Sequence, residues 1–148
     1  MLRWTLAALH LLGFGIGLGA VWARARSIGS RPLDLPALRR TFAADSWWGG
    51  SAILLIGTGL WRLLAGTEKP TAYYLSSHAF FGKMALLIGI LLLEIWPMIT
   101  LIRWRVQVAK GSLPDPSPAA AIARISYAQA LLLIGMVLAA TAMARGLG

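Results

Sequence analysis

Four long stretches of this sequence carry almost no charged residue, and they limit what the chain can fold into more than any other feature. They are residues 4–23, 46–61, 77–102 and 125–144. A helix of about 20 apolar residues crosses the roughly 30 Å hydrocarbon core of a bilayer. Three stretches reach that length. The second reaches it only if Asp45 and Arg62 lie at the membrane boundary with their side chains pointing outward.

The composition agrees with a membrane location. Hydrophobic residues make up 58% and charged residues 13% of the 148 positions, whereas a soluble domain has about 25% charged residues. We therefore predict an all-α fold: a single transmembrane domain over residues 1–148, built as an up-down four-helix bundle. The predicted helices cover about residues 4–23, 46–64, 77–102 and 124–144. Asp45 is the predicted N-cap of the second helix, and Trp96 is the one tryptophan predicted to lie well inside a helix.

Lysine and arginine are distributed unevenly between the two ends of these helices. The first and third loops hold nine of them: Arg24, Arg26, Arg31, Arg39, Arg40, Arg103, Arg105, Lys110 and Arg124. The opposite side holds four: Arg3, Arg62, Lys69 and Arg145. Because cytoplasmic loops are the positive ones, we predict an inner (plasma) membrane protein with loops one and three cytoplasmic and both termini outside. The net charge of +9 then reflects topology and attraction to the lipid bilayer, and nucleic-acid binding is not expected.

The first helix carries a candidate cofactor face. His10 lies about 9 Å below the outer end of the helix, and Gly13 and Gly17 share its helix face. Glycines at this spacing let two membrane helices approach closely. A histidine beside missing side chains also leaves room for haem b with His10 as an axial ligand, so both interpretations stay open. Gly15 and Gly19 form a second line of small residues, which allows a homo-oligomer or a membrane-protein partner.

Two charged residues lie within the third stretch. Lys83 and Glu94 are eleven residues apart and so lie on nearly the same helix face. For Glu94 we predict a structural polar network with Arg103, Arg124 and Gln129, which would hold the third and fourth helices together; the Trp96 indole is an alternative partner.

Lys83 has no obvious carboxylate on its own half except Glu68, which suggests a water-filled cavity or an anionic group such as a haem propionate. His78 opens the same helix on the side of His10. The two histidines are therefore candidate ligands of one iron, although a solvated His78 at the interface is the alternative.

Several motifs resemble a known family. The segments "EKPTAYYL", "FFGKM" and "LLEIWPMITLIRWR", together with "RTFAADSWWG" and the opening "LAALHLL", resemble an uncharacterised family of bacterial membrane proteins, domain of unknown function family 2214. The resemblance covers nearly the whole chain and implies no activity. A histidine early in helix one and a lysine in helix three are more distantly similar to HemJ-type protoporphyrinogen oxidases and CopD-like proteins. That similarity implies haem ligation for His10 and a functional role for Lys83.

Two hypotheses follow from these residues. The first is a b-type haem membrane redox protein, with no reaction specified, in which His10, Gly13, Gly17, His78 and Lys83 hold the cofactor. The second is a cofactor-free accessory subunit or small transporter component of a membrane complex, in which the same residues connect helices.

Overall fold

The computed structural model describes residues 1–65 and 77–145, and over these ranges the chain forms four α-helices and no strand. They are α1 (Leu2–Ile28), α2 (Leu35–Leu64), α3 (His78–Ala109) and α4 (Ala119–Ala144). The predicted all-α four-helix fold is confirmed. Each helix is longer than the uncharged stretch from which it was predicted: α1 and α3 continue several residues beyond its end, whereas α2 and α4 begin several residues before its start.

The second helix begins about ten residues earlier than predicted, and its predicted N-cap was wrong. The N-cap is Asp34, whose side chain accepts a hydrogen bond from the Ala37 N–H at 2.9 Å. Pro36 in the first turn strengthens this start, because proline lacks the N–H that would be unsatisfied there. Asp45 lies in the middle of α2 and is therefore available for a different contact.

Within the described ranges, three helices are long and apolar enough to cross a membrane: α1, α3 and α4. The 30-residue α2 does not meet the same measure, because the part after Asp45 contains tryptophan, glycine, serine and threonine residues of low hydropathy and ends with Arg62 in its last turn. Three membrane-crossing candidates in an all-helical chain agree with a membrane bundle. A fourth crossing by α2 stays a prediction.

The helices pack in the spatial order α2–α1–α4–α3, with extensive contacts between each neighbouring pair. Neighbours run antiparallel: the start of α1 meets the end of α2 through His10 and Thr58, and its end meets Asp45. Two hydrophobic clusters fill the interior. The first includes Phe14, Trp48, Leu55, Ile90 and Met136, and the second includes Ile28, Phe42, Leu101, Trp104 and Ile122.

The connection between α3 and α4 turns at Gly111. Its φ of 82° lies in the left-handed region that favours glycine, and it ends α3 at Ala109. Farther along the loop, Ser117 donates its N–H and hydroxyl to the Asp115 carboxylate. These bonds hold the pKa of Asp115 below its usual range. The loop is thus fixed by local contacts before α4 starts.

Candidate functional site

A fully buried arginine near the end of α1 joins the whole bundle. The Arg24 Nε donates to Ser126 Oγ of α4 at 3.0 Å. Its Nη1 donates to Asp45 Oδ1 of α2 at 2.9 Å and to Glu94 Oε1 of α3 at 2.7 Å. Its Nη2 donates to Glu94 Oε2 at 2.8 Å and to Gln129 Oε1 of α4 at 2.7 Å. One guanidinium therefore bonds to side chains of all three other helices.

A second arginine completes the arrangement. The Arg105 Nη2 of α3 donates to Asp45 Oδ2 at 2.9 Å and to the Phe42 carbonyl oxygen at 2.7 Å. Its guanidinium also lies over the Phe42 ring, 4.9 Å from the centroid. Asp45 thus bridges two arginines. We call this set the Arg24 cluster: Arg24, Asp45, Glu94, Arg105, Ser126 and Gln129.

The Arg24 cluster is balanced in charge and in hydrogen bonding. Two guanidinium groups meet two carboxylates, Asp45 and Glu94. The Gln129 amide closes the set, since its Nε2 donates to Glu94 Oε2 at 2.8 Å and to the Ile90 carbonyl at 3.2 Å. Burying a charge is costly unless it is paired and hydrogen-bonded. The cluster meets both conditions, so its members are stable only as a group.

Several of these residues have other positions or partners in the structure than the sequence predicted. Arg24 was assigned to the first loop, but α1 continues to Ile28 and buries it. Glu94 was expected to pair with Arg103 and Arg124, yet both of these arginines are exposed, and Glu94 accepts instead from Arg24 and Gln129. The physical reason is that a buried arginine on α1 approaches Glu94 from inside the bundle, where neither exposed arginine reaches.

Four members of the Arg24 cluster each have an exposed aromatic residue two positions away on the same helix. The pairs are Trp22 and Arg24, Trp47 and Asp45, Trp96 and Glu94, and Tyr127 and Gln129. Two positions turn a helix by about 200°, so the polar side chain points inward while the ring points outward at nearly the same height. Tryptophan and tyrosine concentrate where a membrane meets water. The four rings, Trp96 included, therefore form an exposed aromatic belt at the level of the Arg24 cluster, which is the pattern expected at a membrane boundary.

His10 is buried in the opposite half of the bundle. Its Nδ1 lies 2.8 Å from Thr58 Oγ1 of α2, and its ring meets Phe14 edge to face at 5.3 Å. The Thr58 hydroxyl also donates to the Leu54 carbonyl of its own helix at 2.6 Å. His10 and Thr58 thus form a buried polar contact between α1 and α2.

The glycines of α1 divide into two faces with different surroundings. A Cβ on Gly13 would lie 3.1 Å from Leu55 Cγ, and one on Gly17 would lie 2.9 Å from Ser51 Oγ. These two glycines therefore allow α2 to pack closely, and the residues present leave no room for a haem ring on that face. A Cβ on Gly15 or Gly19 would meet nothing within 4 Å, so the second line of small residues faces away from the bundle.

The remaining predicted ligands have different surroundings in the fold. His78 is the exposed first residue of α3, whereas His10 is buried against α2. Lys83 is half-buried in the first part of α3, and its predicted neighbour Glu68 lies outside the described residues. Within residues 1–65 and 77–145, no group of three or more His, Cys, Asp or Glu side chains is placed to hold a metal ion.

Comparison with known proteins gives a family and no named activity. No curated protein and no solved structure matches this chain. A family model described as "Predicted membrane protein (DUF2214)" matches residues 2–148, and the chain therefore belongs to the DUF2214 family of predicted membrane proteins.

Proposed function

We propose that this chain is a small transporter component of the plasma membrane, and that the Arg24 cluster is its inner gate. One observation carries the proposal: a single buried guanidinium ties α1 to the other three helices at one end of the bundle. Ionisable groups inside membrane helices are costly and usually mark ion or substrate pathways. A charge-balanced cluster that closes one end only is the arrangement expected of a gate.

The two ends of the bundle differ in how tightly α3 is held. The buried side chains of α3 are Ile90, Pro97, Leu101 and Trp104, so none of those described lies in its first twelve residues. The backbones of α2 and α3 also approach each other far less than do those of the neighbouring pairs, while Arg105 bonds to α2 near the Arg24 cluster. This difference corresponds to a bundle in which α3 is fixed at the cluster and less deeply buried along its first twelve residues.

Glu94 is the member whose charge we expect to control the gate. It is the residue through which α3 accepts hydrogen bonds from both Arg24 and Gln129. When a substitution neutralises Glu94, Arg24 loses the carboxylate that it holds with two nitrogens, and an ion pair becomes a weaker hydrogen bond between a cation and a neutral group. The inner end of α3 is then released from α1, and its outer end moves toward α2.

Exposed basic residues support a cytoplasmic position for this end. Beyond the aromatic boundary they are Arg26, Arg31, Arg39, Arg40, Arg103, Lys110 and Arg124. The same excess predicts the orientation of the chain, with loops one and three inside the cell. The gate therefore faces the cytoplasm in this proposal.

The test uses the absence of cysteine from the chain, which makes introduced cysteines unique labelling sites. Spin labels at Gly57→Cys of α2 and Gly82→Cys of α3 report the outer end, because added side chains there meet nothing within 4 Å. Labels at Arg39→Cys and Gln107→Cys, both exposed, report the inner end. In proteoliposomes, Glu94→Gln should lengthen the inner distance and shorten the outer one, measured by double electron–electron resonance.

Asp115→Asn is the matched control, because it also removes one carboxylate charge but acts in an exposed loop. It should leave both distances unchanged. Identical distance distributions in Glu94→Gln and the parent would contradict the gate and indicate that the Arg24 cluster is a static clamp of an accessory subunit.

Haem b ligation by His10 stays a second candidate, supported by the burial of this imidazole inside the bundle. The ring does not fit on the Gly13 and Gly17 face, which α2 occupies. Its test is the absorption spectrum of protein expressed with added haem. A Soret band that His10→Ala removes and His78→Ala keeps would support ligation by His10, and a featureless spectrum would exclude it.

A further inference from the structure

A groove of about 450 Å³ runs along the outside of α1 and α2. Its floor consists of small residues, including Gly15, Gly19 and Ala23, and the Trp47 ring forms one wall. Its inner end holds two polar residues, Ser27 and Arg40. The groove is therefore apolar along its length and cationic at one end.

The dimensions of this groove match one leaflet of a bilayer. Gly15 and Ser27 are twelve residues apart on α1, which corresponds to about 18 Å. Half of the hydrocarbon core measures about 15 Å. Trp47 marks the boundary with water, so Gly15 lies near the middle of the membrane and Arg40 lies at the level of the lipid headgroups.

We propose that this groove binds one anionic phospholipid, with an acyl chain along the small residues and the phosphate at Arg40. Charge complementarity supports this occupant. Arg40 is exposed, no hydrogen bond to another described residue engages its guanidinium, and none of the described residues that line the groove is acidic. Guanidinium groups recognise phosphate oxygens well. The proposal does not depend on the gating role of the Arg24 cluster.

A second groove supplies an internal comparison. It lies on the other side of Gly15 and Gly19, between α1 and α4, and has a volume of about 590 Å³. Trp22, Tyr127 and Leu131 are among its walls, and none of its described lining residues is charged. Acyl chains that enter this groove have no cationic group for the phosphate, so its occupancy should not depend on headgroup charge.

Native mass spectrometry of the purified full chain tests the site with phosphatidylglycerol and phosphatidylcholine of identical acyl chains. The parent should retain phosphatidylglycerol preferentially. Arg40→Ala should reduce that preference roughly fivefold, the effect of one surface cation on an anionic lipid, and Arg39→Ala should leave it unchanged. Ala23→Leu fills only the first groove, at an exposed position, and should abolish the preference.

Three outcomes would overturn the proposal. One is equal retention of the two lipids by the parent, and another is the same loss of preference in Arg39→Ala as in Arg40→Ala. The third is a lipid-independent dimer that Ala23→Leu dissociates, which would identify a second copy of the chain as the occupant of the groove.

Discussion

Removal of the Arg24 side chain should be the most destabilising single change in the bundle. Arg24→Met keeps much of the side-chain length but deletes five hydrogen bonds and the charge that balances Glu94 and Asp45. Breaking a buried ion pair by removing one partner costs about 3–5 kcal/mol. At about 2–4 °C per kcal/mol for a chain of this size, the melting temperature should fall by roughly 6–20 °C.

The assay is thermal unfolding in nanodiscs, followed by the fluorescence of the seven tryptophans. Arg103→Met and Arg124→Met are matched controls, because they remove the same group from exposed positions of α3 and α4. Exposed substitutions usually change stability by no more than about 0.5 kcal/mol, so their melting temperatures should stay within about 2 °C of the parent.

A second variant separates charge imbalance from general loss of packing. Arg24→Met with Glu94→Leu removes one positive and one negative charge and leaves the Asp45–Arg105 pair intact. It should unfold at a higher temperature than Arg24→Met alone, since apolar replacement of both partners avoids an uncompensated buried carboxylate. A single Arg24→Met variant as stable as Arg124→Met would refute the view that the cluster holds the helices together.

Three further predictions follow from local geometry. Gly17→Leu should destabilise the fold by about 1–3 kcal/mol, because its Cβ would meet Ser51 and Trp48. The control Gly19→Leu should change the melting temperature of the protein little. Equal changes in melting temperature for the two variants would contradict the packing of α2 on the Gly17 face. Asp34→Ala should cost about 1 kcal/mol by removing the cap of α2, measured by the same melting assay, and no change would argue against the cap. Ser112→Cys, in the exposed third loop, should not be labelled by a membrane-impermeant maleimide in intact cells and should be labelled after the cells are permeabilised. Labelling in intact cells would contradict the predicted orientation.

The helices and their general positions could be predicted because apolar length is a local property of the sequence. The ends of the helices could not be predicted, because Arg24 and Asp45 flank the uncharged stretches and their charge suggested a membrane boundary. Both lie inside longer helices, where each balances the other's charge. That pairing depends on how three helices meet, which no single stretch encodes.

One signal in the sequence pointed to the Arg24 cluster. A polar residue two positions from an aromatic one recurs in all four helices, as with Trp22 and Arg24 or Tyr127 and Gln129. The pattern indicates opposite helix faces at one depth, so it could have identified Arg24 as inward-facing. The glycines were ambiguous for a different reason: spacing groups Gly13 with Gly17 and Gly15 with Gly19, but only the packed structure tells which pair meets α2.

The spacing of the aromatic residues also fixes the bilayer thickness that suits this chain. Trp4 and Trp22 are both exposed on α1 and are eighteen residues apart, which corresponds to about 27 Å. That value is a few ångströms below the hydrocarbon thickness of an average membrane, and a short helix responds by thinning the lipid around it. Thicker lipids would draw Arg24 and its partners into hydrocarbon, where exchange of a proton or an ion with water is slower. For the gate that we propose, the length of the acyl chains should therefore tune how readily the bundle opens at the Arg24 cluster.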